Sequence, residues 1–115
     1  RIHDAFGASG TLVVAGFSQG VAMAYRAAVR GRVRAAAVIA VGGDVPPELV
    51  APGSAFPPVL IVRGDRDDWY TQAKLDADVA ALRSCGARVT FHVCDAAHEW
   101  SSPVVARTDE FLGSL

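Results

Sequence analysis

Four apolar runs punctuate the chain, at residues 12–15, 35–41, 59–62 and 89–94, and the segments between them carry apolar residues at helical spacing. Three of the runs are apolar at successive positions, which predicts strands buried on both faces. The fourth alternates, with Val89, Phe91 and Val93 on one face and Thr90, His92 and Cys94 on the other, so it is expected nearer a sheet edge. Residues 19–29 are apolar nearly all round (Val21, Ala22, Met23, Ala24, Ala27, Ala28) and predict a deeply buried helix. Residues 71–85 place Leu75, Val79 and Leu82 at i, i+4 and i+7, with Asp76, Asp78 and Arg83 elsewhere and Gly86 positioned to end the helix. That predicts an amphipathic helix on the outside of the sheet. Ser102 before Pro103 reads as a cap followed by a helix-starting proline, leading into Val104, Val105, Phe111 and Leu112. Ile2, Ala5 and Phe6 ahead of Gly7 read as the last turn of a helix. Strands alternating with helices through right-handed crossovers give an α/β fold, a parallel sheet with helices on both faces, in one domain spanning residues 1–115.

Composition narrows the classes of function without naming one. Eleven Lys and Arg against twelve Asp and Glu leave a net charge of -1 with no basic patch, so no nucleic-acid partner is expected. Gly, Arg or Pro breaks every apolar run well short of the roughly 18 residues of a membrane span. Arg1-Ile2-His3-Asp4 leads into a short helix-like stretch and not a long apolar segment, so a signal peptide is not expected there. Cys85 and Cys94 have no metal-ligand spacing, and two reduced thiols in a cytoplasmic protein are expected in preference to a disulfide.

The chemistry is concentrated at three strand ends. Gly16-Phe17-Ser18-Gln19-Gly20 lies between the first apolar run and the Ala-rich helix, the strand-to-helix setting of a nucleophile elbow. A serine hydroxyl needs a base within hydrogen-bond reach and an acid to orient that base. After the third run comes Gly64-Asp65-Arg66-Asp67-Asp68, and after the fourth Asp95-Ala96-Ala97-His98. In open parallel sheets functional groups gather at the carboxyl ends of strands. His98 is the one histidine in such a loop; His92 falls within a strand and His3 near the start. Asp65, Asp67 and Asp68 compete for the acid, and the residue-level alternative is a polar loop capping the next helix or pairing with Arg63 and Arg66. Asp44, after Gly42-Gly43 and ahead of Pro46-Pro47, is a distant candidate for the acid and reads first as a turn residue.

Gly16-Phe17-Ser18-Gln19-Gly20 followed by Val21-Ala22-Met23-Ala24, then Gly64-x-x-Asp67, then Gly86-Ala87-x-Val89-Thr90-Phe91 and His98, resembles the phospholipase/carboxylesterase branch of the α/β-hydrolase superfamily, which includes acyl-protein thioesterases. The resemblance runs from about Thr11 to the end. It implies Ser18 as nucleophile, Asp67 as the orienting acid, His98 as the base and the Gln19 backbone N–H as an oxyanion donor. Two departures from the pattern stand out. Arg63 stands where the family has His, with Trp69-Tyr70 in place of a Val-Pro pair; Val21 stands where a second glycine is usual. Trp69 and Trp100, each two residues beyond Asp67 and His98, are expected to wall the substrate pocket.

The resemblance implies a serine hydrolase acting on carboxylic esters or thioesters, with no metal or organic cofactor. A prolyl-oligopeptidase-type peptidase shares the elbow and the Ser, Asp, His order. The chain resembles the C-terminal half of such an enzyme, because the loop supplying the second oxyanion donor would precede Thr11. A partner is therefore expected, either the N-terminal half or a dimer mate, to cover the edge of the 12–15 strand. A non-catalytic half-domain that serves only in assembly is the third reading.

Overall fold

The protein was analysed as a computed structural model that describes residues 4–8, 11–31, 34–51 and 53–115. Its element order is β1 (Asp4–Ala8), β2 (Thr11–Phe17), α1 (Gly20–Arg30), β3 (Ala37–Val41), β4 (Val59–Gly64), α2 (Gln72–Ser84), β5 (Val89–Cys94) and α3 (Ser102–Gly113), with a short 3-10 turn at Pro47–Leu49. One five-stranded sheet results, in the order β1-β2-β3-β4-β5. Strands β2 to β5 are parallel, as the apolar runs predict, and the alternating β5 is an outer strand.

β3 and β4 are buried along their whole length because helices cover both faces. Val21, Ala24 and Tyr25 of α1 pack with Leu75, Val79 and Leu82 of α2 over Val14, Val38, Val59 and Ile61. On the opposite face Val104 and Phe111 of α3 pack over Val13, Ile39, Leu60 and Val62. Alternate strand residues thus feed two separate cores, which is why these strands read as unbroken apolar runs.

Three expectations need correction. Asp4–Ala8 is not a helix end but a strand, antiparallel to β2 with Asp4 opposite Ala15 and Ala8 opposite Thr11. The edge of β2 offers a row of backbone donors and acceptors, and the preceding segment satisfies it by pairing; Ile2, also assigned to that helix, lies outside the described residues. Helix α1 is buried on one face only: Met23 is 50% exposed, and Arg26 and Ala27 are exposed. A helix lying on a sheet covers only its inner face, and small alanines leave the outer one apolar without making it buried. The N-cap of α3 is Ser101 rather than Ser102, so Pro103 occupies the second helical position, where a missing N–H is equally harmless.

Helix α2 has the predicted ends, with Thr71 accepting from the Lys74 N–H at the N-cap and Cys85 as C-cap. Asp78 lies on its buried face, a position the apolar spacing did not reveal. Both cysteines are free, Cys94 buried and Cys85 half-buried. Among the described residues no helix is long and apolar enough to cross a membrane.

Candidate active site

Ser18 follows the last residue of β2 and stands two residues before α1, and the chain reverses around it. Its φ is +56°, the left-handed region that a serine enters only at a cost of about 1–3 kcal/mol. Local bonds hold it there: the Ser18 N–H donates to the Val41 carbonyl at 2.9 Å, and the Val21 N–H donates to the Ser18 carbonyl at 3.1 Å. Gly16 lets strand and helix cross this closely, since a Cβ there would stand 2.5 Å from the Gly20 carbonyl oxygen. Val21, bulkier than the family's usual glycine, is accommodated across the turn by Gly43, where a Cβ would meet the Val21 Cβ at 2.6 Å.

The Ser18 hydroxyl lies 2.8 Å from His98 Nε2, and His98 Nδ1 lies 2.6 Å from Asp67 Oδ2. Residues 80 and 31 apart in sequence converge because the loops after β2, β4 and β5 all emerge at one end of the parallel sheet. The Asp67 side chain is 1% exposed, whereas the His98 ring remains 29% exposed, so the chain of contacts opens to solvent at the histidine. Asp67 Oδ1 accepts from the Trp69 N–H at 2.9 Å and the Tyr70 N–H at 2.8 Å. Burial pushes this carboxyl's pKa up, but the His98 contact and the two N–H donors outweigh it and hold it below the ordinary aspartate value.

The other aspartates stand elsewhere. Asp65 is exposed; it accepts from the Ala96 N–H at 3.2 Å and pairs with Arg66, tying the β4 loop to the β5 loop. Arg66 also pairs with Asp95. Asp68 is exposed, and Asp44 sits at the surface 4.0 Å from Lys74 Nζ. His92 is half-buried within β5, and His3 lies outside the described residues. Arg63 pairs with no carboxylate among the described residues but is buried, with Nε donating to the Tyr70 carbonyl at 2.8 Å and Nη2 to the Asp67 carbonyl at 3.2 Å.

Trp69 is drawn to the site and Trp100 is not shown there. The Trp69 ring centroid lies 5.3 Å from that of His98, with Phe17 5.0 Å from the same ring. Lys74 Nζ sits 4.6 Å over the Trp69 ring and donates to the Trp69 carbonyl at 2.9 Å, fixing the indole. Trp100 is 45% exposed. The Gln19 N–H precedes the internal ladder of α1, and among the described residues it has no acceptor. A concavity of about 650 Å³ lies at the other end of the sheet, lined by Ala28, Arg34, Phe56 and Pro58 among others, and none of the residues around His98 borders it.

One contributor escaped the sequence reading. Gly42, at φ +65°, lies directly against the histidine and aspartate: a Cβ there would stand 3.1 Å from His98 Cε1 and 3.4 Å from Asp67 Oδ2. The signal was present in Gly42-Gly43 at a strand end, a pair that permits both a left-handed turn and close approach.

The sequence matches the phospholipase/carboxylesterase family over residues 6–115. The chain belongs to that family. Solved structures agree. Esterase PE8 is similar at 28% identity with a TM-score of 0.77, over 89% of this chain and 49% of that one. A Bacillus cereus carboxylesterase (20% identity, TM-score 0.71, 89% and 49% covered) and Zea mays acyl-protein thioesterase 2 (19%, 0.70, 87% and 54%) share the fold. The α/β-hydrolase architecture that the resemblance implied is therefore shown, and the chain spans about half the length of these structures. No curated protein is significantly similar to it in sequence.

Proposed function

We propose that this chain carries the catalytic centre of a serine hydrolase that cleaves carboxylic esters or thioesters. The observation that supports this most is the continuous contact from Ser18 Oγ through His98 to buried Asp67, at 2.8 and 2.6 Å, with the serine on a left-handed turn. In this reading His98 Nε2 takes the Ser18 proton as Oγ attacks the acyl carbon, and the carbonyl oxygen becomes an oxyanion facing the Gln19 N–H. Asp67 keeps the Nδ1 proton on the ring and stabilises the imidazolium as it forms. Collapse of the tetrahedral intermediate breaks the bond to the alcohol or thiol, which leaves with the proton from His98. Water, activated by the same histidine, then hydrolyses the acyl-enzyme.

Trp69 in this scheme forms one wall of the pocket, and Trp100 a rim. The second oxyanion donor would come from outside residues 11–115, from the remainder of a hydrolase domain that packs on this half. A single missing donor costs about 100- to 1000-fold in turnover, so the halves are expected to act together. The two free thiols fit a reducing compartment such as the cytoplasm.

The test is a fluorophosphonate probe applied to the whole protein and to Ser18→Ala, followed by p-nitrophenyl esters of increasing acyl length beside peptide nitroanilides. Labelling confined to wild type, with ester turnover exceeding peptide turnover, is the expected result. Equal labelling of both proteins would exclude Ser18 as the nucleophile, and preferential peptide cleavage would make the enzyme a peptidase.

A further inference from the structure

Arg63 is the next-to-last residue of β4 and is only 9% exposed. A buried guanidinium commonly faces a carboxylate or phosphate, because removing a cation from water is costly unless it is paired. Here the hydrogen bonds made among the described residues run to two backbone carbonyls, of Asp67 and Tyr70. These two carbonyls bracket the segment whose N–H groups, at Trp69 and Tyr70, hold Asp67 Oδ1. Tyr70 is tethered a third way, through its hydroxyl, which donates to buried Asp78 of α2 at 2.7 Å. The loop is thus drawn toward β4 by Arg63 and toward α2 by Tyr70, and its backbone is folded around the Asp67 carboxylate.

We propose that Arg63 is a positioning residue for hydrolysis, whose guanidinium pins the main chain at Asp67 and Tyr70 so that Asp67 presents Oδ2 to His98. The proposal rests on the reading of Ser18, His98 and Asp67 as the catalytic groups. Geometry favours arginine for this task, since a rigid fork reaches two acceptors at once whereas an ammonium on a flexible stem is a single point charge. It also gives the unusual residue before Gly64 a role: this chain holds its acid loop from beneath through a cation, and the Trp69-Tyr70 pair supplies the N–H groups and the hydroxyl on which that arrangement closes.

The experiment compares wild type, Arg63→Met and Arg63→Lys in the whole protein. Arg63→Met keeps much of the packing and removes both donors; Arg63→Lys keeps the charge and one donor. Because a misplacement of about 1 Å can cost about 100-fold, the expected result is a kcat lowered about 10- to 100-fold in Arg63→Met and less in Arg63→Lys. KM should change less than kcat, because the Trp69 ring that walls the pocket from the same loop is also held by Lys74, through the ring face and the Trp69 carbonyl. In proton NMR the far-downfield signal of the hydrogen between His98 Nδ1 and Asp67 should weaken or move upfield in the same order. If both variants melt cooperatively, keep the wild-type kcat and keep that resonance, the proposal is overturned. Should Arg63→Met fail to fold, Arg63→Lys carries the comparison. If wild type itself is not labelled at Ser18, the hydrolase reading fails on its own. The resonance then decides the role of Arg63: its loss in Arg63→Lys supports the pinning, and its persistence overturns it.

Discussion

Ser18 is held by its own backbone, at φ +56° between a strand and a helix that cross over Gly16, with its N–H bonded to the carbonyl of Val41 on the neighbouring strand. The loop that carries Asp67 is held by side chains instead, Arg63 on β4 bonding its carbonyls and Tyr70 bonding Asp78 on α2. The turn at Ser18 is fixed by what glycine permits, and the loop around Asp67 by buried polar groups that must all be satisfied together. His98 joins the two regions, and Gly42 lies against it on a third loop.

The largest expected effect separates the chemistry from the scaffold on the elbow side. Ser18→Ala should lower turnover by about a million-fold on the proposed reading, with thermal stability equal to or above wild type because alanine removes no packing. Steady-state ester hydrolysis with a melting curve checks both halves of the statement. On the acid side Asp67→Asn should cost about 10,000-fold, because an amide stabilises the wrong imidazole tautomer. Turnover within tenfold of wild type would mean that His98 does not depend on Asp67 for its orientation.

Acid should also distinguish the two regions. The Asp67 pKa is held below its unfolded value near 3.9, so the stability it contributes is fully present above about pH 4 and is lost as pH falls through the folded value. The elbow carries no titratable group. Urea unfolding of wild type and Asp67→Asn should therefore show a gap near pH 6 that narrows toward pH 2.5. A gap that stays constant would mean that the carboxylate charge does not stabilise the loop.

Gly42→Ala tests the third loop. Its Cβ would press on His98 Cε1 at 3.1 Å while placing alanine at φ +65°, so both the histidine and the turn must shift. A loss of about 1–2 kcal/mol in stability and a fall of about 10- to 100-fold in kcat are expected. Denaturant melts and kinetics on the same preparation separate the two losses.

The strand-to-helix turn at Ser18 was legible in the sequence because its determinants are local: two glycines, a serine and the apolar run before them lie within ten residues. Three of the parallel strands were legible because burial on both faces leaves an unbroken apolar record, and the outer strand β5 through its alternation. Asp67 could not be separated from Asp65 and Asp68 by its own neighbours, since what singles it out is burial and its contacts with Arg63 on β4 and with His98 beyond β5. The burial of Arg63 was not legible either, because a charge in sequence gives no sign of which face of its strand is covered. The β1 strand was missed for a related reason. Its residues are weakly patterned, and only the exposed edge of β2 gives them something to pair with.

The smallest expected effect is the one that tests this reading of the loop most directly. Asp68 and Asp67 are adjacent and chemically identical, yet Asp68 is exposed and Asp67 is 2% exposed. Asp68→Ala should change stability by less than about 0.5 kcal/mol and leave kcat within about twofold, because an exposed carboxylate has already exchanged little with water on folding. Asp65→Ala should stand between the two, since it loses the Ala96 N–H contact that ties the β4 and β5 loops together and thereby loosens the segment leading to His98. The ranking Asp67, Asp65, Asp68 in kcat, read from three single variants under one set of conditions, follows from burial and hydrogen bonding alone. A larger loss at Asp68 than at Asp65 would show that the exposed side of the loop, and not its buried anchor, governs how the acid meets the histidine.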